Sequence, residues 1–273
     1  MQQVITRQDI VPALISEWSA IDALLTSLAP PQWAMPTSLP GWSVHDTVAH
    51  LIGTESALAG QAPPPSGADI RDLPHVRNDI GAANEQWVQG LRGESDDAML
   101  GRFRAVTATR RAALEAMSAA EFDAPSWTPA GPGTYGRFMR IRVFDCWMHE
   151  QDVRDAVGLP GHGDGPCAAV ALSEVADALG YIVGKRAAAP PGSTVTIELT
   201  GPEHVTWHVL VDGRARLVDA LPGPPTAAVR LTSHLFSRLA GGRVPAADHL
   251  AEITLDGDQD LGRRVALALP FTI

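Results

Sequence analysis

Apolar side chains recur at helical spacing over residues 7–28, at Val11, Leu14, Ile15, Trp18, Ile21, Leu24, Leu25 and Leu28, and Pro30 and Pro31 stop the run. A second helix is predicted from Ser43 towards Gly60, because Asp46 three residues after Ser43 completes a capping-box pattern. The stretch APPPSGADIRDLP reads as loop. Helical spacing returns over residues 79–91 and again from 96 to about 120. Beyond the turn-rich SWTPAGPGTYG it runs from about 137 to 157, where Gly158 and Pro160 end it. This half of the chain predicts a four-helix bundle.

The second half has a different texture. GLPGHGDGP is the clearest linker, and an Ala-rich helix follows over about 167–188. TVTIELT then alternates strictly, with Val195, Ile197 and Leu199 on one face. VTWHVLV, a turn at Asp212–Gly213, RARLV and AAVRL extend the strand pattern. HLFSRLAGG predicts a short helix, AEITLDGD a strand and turn, and QDLGRRVALAL a last helix. A mainly antiparallel sheet with helices makes this a smaller α+β domain, so the whole chain is α+β, with domains at 1–160 and 161–273.

Composition narrows the partners. At 273 residues two domains are the prior, and an apolar share of 45% supports real cores. A formal charge of −10 argues against nucleic acid or an anionic membrane surface, because both need a basic footprint. Cys146 and Cys167 stand apart, without the CxxC spacing of a zinc knuckle or redox motif. The N-terminal MQQVITRQDIVPAL has no basic region followed by an apolar core, and no apolar run is read as membrane-spanning. A cytoplasmic protein is expected, with monomer and dimer both open.

The candidate chemistry lies on two of the predicted helices. The first, LPGWSVHDTVAHL, offers His50, and RVFDCWMHEQDVRDAVG offers Asp145 and His149. Residues at i and i+4 share a helix face, so Asp145 and His149 can address one point. With His50 opposite, three N/O groups would converge and leave coordination positions open, as a catalytic metal requires. Spacing alone does not decide this. Nine histidines make one Asp-x-x-x-His match expected by chance, and Asp46-x-x-x-His50 is a second. Asp46 is explained as the capping partner of Ser43, and a histidine among Val48, Ala49, Leu51 and Ile52 is more often a hydrogen-bonded core residue. Asp152, three residues past His149, is placed to accept the other ring N–H of that histidine, or to pair with an arginine. Arg137, Arg140 and Arg142 read as a solvated face, although one could clamp a carboxylate. Cys146 lies about 100° around the helix from Asp145 and reads as a small buried hydrophobe. The DGD at Asp256–Asp258 lacks the rest of a calcium loop and reads as a turn.

The order of LPGWSVHDTVAHL, WMHEQDVRDAVG and an α+β tail resembles the mycothiol-dependent maleylpyruvate isomerase family over nearly the whole chain. The resemblance implies a DinB-like bundle followed by a domain similar to sterol carrier protein type two. It implies a divalent metal, zinc, held by a histidine of the first motif helix and a Glu-x-x-x-His pair on the fourth. The matching positions here are His50, Asp145 and His149, with aspartate where the family has glutamate. It further implies mycothiol as cofactor or co-substrate and a small electrophile as substrate. In the isomerases the thiolate adds to an electron-poor double bond, the adduct rotates, and elimination returns the trans product. In S-transferase relatives the sulfur stays attached. A catalytic arginine from the C-terminal domain is also implied, and Arg230 is chosen over Arg214 and Arg238. The alternative expectation is a non-catalytic binding protein that holds an apolar ligand in the C-terminal domain.

Overall fold

The computed structural model describes residues 5–67 and 69–272; residues 1–4 of the expected first domain, Ala68 in the predicted loop and the terminal Ile273 lie outside them. The chain divides into two compact units, one of Arg7–Gly161 and one running from His162, together with Ile5 and Thr6.

The first unit is helical. Its elements are α1 (Arg7–Ser27), the single turn α2 (Pro30–Trp33), α3 (Val44–Leu58), α4 (Asp79–Leu91), α5 (Asp96–Ala116), the turn α6 (Ala119–Phe122) and α7 (Tyr135–Val157). Helix α1 packs on α5 and α7, and α3 packs on the same two, so the four long helices form a bundle with α4 laid against α3. Leu14, Val48, Met99, Phe103 and Val143 fill its centre. Helix α3 begins as its sequence predicts. Ser43 Oγ accepts the Asp46 N–H at 3.2 Å, and Asp46 Oδ2 accepts the Ser43 N–H at 2.9 Å. Helix α7 is capped by Thr134 Oγ1, which accepts the Arg137 N–H at 3.0 Å. It ends at Gly158, whose φ of +69° is the left-handed conformation glycine adopts without strain.

Two local expectations are corrected. The helix predicted to about residue 120 stops at Ala116, because Ser118 and Glu121 form their own capping box and start α6. The stretch read as turns holds a hairpin, β1 (Pro125–Thr128) and β2 (Gly131–Thr134), which Gly131 closes with φ +98°.

The second unit contains α8 (Gly165–Tyr181), which widens into a π turn over Ile182–Arg186, then β3 (Thr194–Thr200), β4 (Val205–Asp212), β5 (Arg214–Val218) and β6 (Ala227–Thr232). It continues through α9 (Ser233–Ala240), β7 (Thr254–Gly257) and α10 (Gln259–Ala268). The sheet order is β5-β4-β3-β6-β7, antiparallel except for the β3–β6 pair. Val195, Ile197 and Leu199 are buried as their alternation predicts. Thr194 and Thr196 on the other face are buried too, and their hydroxyls reach Thr226 Oγ1 at 3.4 Å and His208 Nδ1 at 3.0 Å. The expected α+β class is the observed one. Helices Arg7–Ser27 and Gly165–Arg186 do reach the length and apolarity of a membrane span, contrary to the sequence reading. With 50% and 61% of their apolar stretches buried, they pack as core helices.

Candidate functional site

Helices α3 and α7 pack side by side, and this brings His50 onto the face of α7 that carries Asp145 and His149. His50 Nε2 lies 3.2 Å from Asp145 Oδ2, and His149 Nε2 lies 3.5 Å from Asp145 Oδ1. The two imidazole centroids are 4.7 Å apart and inclined at 70°. One ligand atom from each of the three side chains falls within 4.8 Å of the others. The histidine side chains are 5% and 7% exposed and Asp145 is 29% exposed, so the carboxylate is the open side of the cluster.

The far nitrogens of the two rings differ. His149 Nδ1 is 3.0 Å from Asp152 Oδ2, and Asp152 is fully buried. Asp152 Oδ1 in turn accepts the Ser38 hydroxyl at 3.3 Å. His50 Nδ1 is buried, with no hydrogen-bond partner among the described residues.

Burial pushes the His50 pKa down, and this outweighs the attraction of Asp145. Burial acts on His149 in the same direction, but Asp145 and Asp152 together overcome it and raise its pKa. Burial would raise the Asp145 pKa, yet Arg142 and the two imidazoles hold its carboxyl well below the usual range. Asp145 is therefore an anion that the site is built to keep.

A buried charge network that the sequence did not reveal lies behind the cluster. Arg142, expected on a solvated face, is instead 2% exposed. Its Nη1 donates a short hydrogen bond to Asp145 Oδ2 and its Nε donates to Glu55 Oε1 at 2.9 Å. Glu55 Oε2 accepts Arg110 Nε at 3.0 Å, and Arg110 Nη2 reaches the Tyr135 hydroxyl at 2.7 Å. The carboxylate of Glu55 thus ties α3, α5 and α7 together beneath the cluster. The one local hint was Arg142 three residues before Asp145, the spacing of a helical ion pair. Cys146 is buried against Arg142 Nη2, with Sγ at 3.3 Å, and burial pushes its thiol well above the ordinary range despite the guanidinium.

The other residues singled out by the sequence have the following surroundings. Asp46 also accepts Arg92 Nε at 2.9 Å, on its Oδ1. Arg230 lies on β6 of the second unit, 47% exposed, with Nη2 2.9 Å from Glu198 Oε2 on the neighbouring β3. Arg238 is buried in α9. The DGD segment ends β7, and Asp258 Oδ1 caps α10 by accepting the Leu261 N–H at 2.9 Å.

The comparisons with known proteins cover the same two regions. Residues 14–154 match the mycothiol maleylpyruvate isomerase N-terminal domain, and residues 169–264 match the C-terminal domain of the same family. An uncharacterized protein of Mycobacterium tuberculosis, in strains H37Rv and CDC 1551, is 24% identical over 198 residues, which cover 72% of this chain and 75% of the relative. The crystal structure of the mycothiol-dependent maleylpyruvate isomerase superposes with a TM-score of 0.59 at 18% identity, over 92% of this chain and 93% of that one. A histidine-to-alanine mutant of that isomerase gives 0.57 at 16%, with the same coverage. At these identities the likeness to the solved structures is one of fold. The two domain matches, in order and over most of the chain, identify it as a member of the mycothiol maleylpyruvate isomerase family.

Proposed function

We propose that this protein is a metal-dependent enzyme that uses mycothiol as thiol cofactor or co-substrate on a small electrophilic substrate. The observation that carries this reading is the convergence of His50, Asp145 and His149 on one point, with Asp152 behind His149. Two imidazole Nε2 atoms directed at one carboxylate need a proton or a metal ion between each nitrogen and the oxygen it faces. Asp152 favours the proton on His149 Nδ1, which leaves Nε2 as the lone pair a metal uses. Two imidazole nitrogens and one carboxylate oxygen suit zinc, and three protein ligands leave a position for a small molecule. His50, Asp145 and His149 would hold the cation, which would supply Lewis acidity that lowers the pKa of a thiol brought to the site.

The chain's own groups set the conditions for that chemistry. His50 and His149 are shielded from water, so charge at their Nε2 atoms is felt strongly. Asp145 leaves the approach open, and Arg142 holds one of its oxygens. Burial favours the neutral thiol at Cys146, which fits a nucleophilic sulfur supplied by mycothiol rather than by that residue. Isomerisation and S-transfer begin alike, with a C–S bond forming at an electron-poor carbon, and part on whether that bond breaks again. Family membership and the name of the solved relative favour the isomerase course.

The test is metal analysis of the purified protein together with turnover of maleylpyruvate and of a simple electrophile, with and without mycothiol. About one zinc per chain is expected. Turnover should vanish on chelation and return with added zinc. Full activity in the chelated protein, or activity indifferent to the thiol, would refute the reading.

A further inference from the structure

Gly41 and Trp42 end the loop before α3, and nothing in the chemistry above uses them. Trp42 is half-buried and lies outside the apolar core. Its indole centroid is 5.3 Å from that of His50, tilted at 36°, and 6.2 Å from that of His149, tilted at 39°. The indole is itself held. Trp42 Nε1–H donates to Glu85 Oε2 at 2.8 Å, and His75 Nε2 lies 3.0 Å from the same oxygen. Gln89 Nε2 donates to Glu85 Oε1 at 2.7 Å. The Glu85 side chain is 1% exposed, so a buried carboxylate with three partners fixes one half-buried indole. Gly41 makes room for this. Its φ is +80°, and a Cβ there would stand 2.9 Å from the His75 ring.

The two histidines differ in what restrains them. The terminal torsion of a histidine ring is broad and roughly two-fold, so a ligand nitrogen stays aimed only if something outside the ring holds it. For His149 that restraint is Asp152. His50 Nδ1 has no hydrogen-bond partner among the described residues, and its ring is the one nearer to Trp42.

We infer that Trp42, set in place by Glu85, is a positioning residue that packs over His50 and keeps its Nε2 turned towards Asp145. Trp42 does for His50 by packing what Asp152 does for His149 by hydrogen bonding. Its consequence for metal affinity rests on the proposed function, whereas its effect on ring order does not.

The experiment uses the full chain with labelled histidines, and records imidazole signals of the metal-free protein before titration with cobalt(II) alone. Trp42→Ala and Glu85→Ala are the severe variants. Trp42→Phe and Glu85→Gln are the mild ones, and they decide the matter if the severe ones fail to fold. Trp127→Phe, at a 72% exposed position on β1, is the control. His50 should lose its single sharp ring signal in the Trp42 and Glu85 variants, while His149 changes less. Cobalt affinity should fall roughly five- to tenfold, the effect of having to order one freed ring on binding. His50 signals as sharp as wild type in both Trp42→Phe and Glu85→Gln, with cobalt held as tightly, would overturn the inference. A wild-type chain that takes up no cobalt, in which His50 still loses order on mutation, would overturn the metal reading and leave the positioning role supported.

Discussion

The two units bury polar groups of different kinds. Inside the bundle lie charged and imidazole side chains: Glu55, Glu85, Arg110, Arg142, His149 and Asp152 are all at most 5% exposed. The sheet of the second unit is built around Val195, Ile197, Leu199 and Val229, and the buried polar side chains of that unit are the hydroxyls of Ser193, Thr194, Thr196, Ser233 and Ser237, with Glu174 and Arg238 the charged ones among the described residues. A buried hydroxyl with a partner is nearly neutral for stability, whereas a buried ion is favourable only when paired and hydrogen-bonded with care. Apolar residues of similar volume would stabilise a bundle at least as well as the Glu55 network does. Buried charge gathered around two histidines is what the proposed site calls for, and its near absence from β3 and β6 fits a unit held by packing.

The sharpest way to break this comparison is to remove the histidines. His50→Ala and His149→Ala should each lose most of the bound metal, read by elemental analysis of the purified variants, and with it most thiol-dependent turnover. Asp145→Ala should lose less, because water can replace one carboxylate oxygen. Full metal retention in both histidine variants would remove the site from the bundle altogether.

Next in size is Arg142→Ala, which takes from Glu55 one of its two arginine partners and from Asp145 its guanidinium, leaving Arg110 on Glu55 and the imidazoles on Asp145. Both Arg142 and Glu55 are almost fully enclosed, at 2% and 1% side-chain exposure, so solvent does little to soften the loss. A destabilisation of about 3–5 kcal/mol is expected in denaturant unfolding. A loss below about 1 kcal/mol would mean that Arg110 alone satisfies Glu55, and that the network is not the element joining α3 to α7.

Ile197→Ala in β3 gives the complementary case. Truncating a fully buried side chain there should cost about 2–5 kcal/mol, comparable to the arginine change, yet leave metal content and His50 signals untouched. Equal stability losses with opposite effects on metal would separate a packing core from a chemical one. If Ile197→Ala also emptied the metal site, the contrast between the units would collapse.

Local signals were the legible ones. Ser43 and Asp46 read as a capping box because both partners lie within one helical turn. Asp145 and His149 could be paired because one face repeats after four residues, and a recognisable motif brought in His50 from another helix. The network behind them could not be read in the same way. Arg142 meets Glu55 across 87 residues and Trp42 meets Glu85 across 43, and no periodicity links such positions. The three arginines that open α7 look alike in sequence, and only the packing against α3 shows that Arg142 turns inward. The hairpin over 125–134 was missed because its Pro- and Gly-rich strands carry little apolar alternation, and their pairing rests on turn geometry around Gly131.

The smallest expected effect is also the one that tests whose sulfur does the work. Cys146 sits next to Asp145 in sequence and 3.3 Å from a guanidinium, a neighbourhood that would ordinarily favour a reactive thiolate. Its burial is complete, however, and removing a thiolate from water outweighs the attraction of Arg142, so the thiol stays protonated. Cys167 is buried likewise and belongs to the second unit. Cys146→Ala and Cys167→Ala should therefore keep metal and mycothiol-dependent turnover near wild type, with only the small stability loss of trimming a buried side chain. The measurement is turnover of one electrophile at saturating thiol in the two cysteine variants, set beside His50→Ala and His149→Ala. If Cys146→Ala were inactive while the histidine variants still turned over, the nucleophile would be the protein's own sulfur. The buried charge of the bundle would then serve to activate Cys146 rather than to hold a metal.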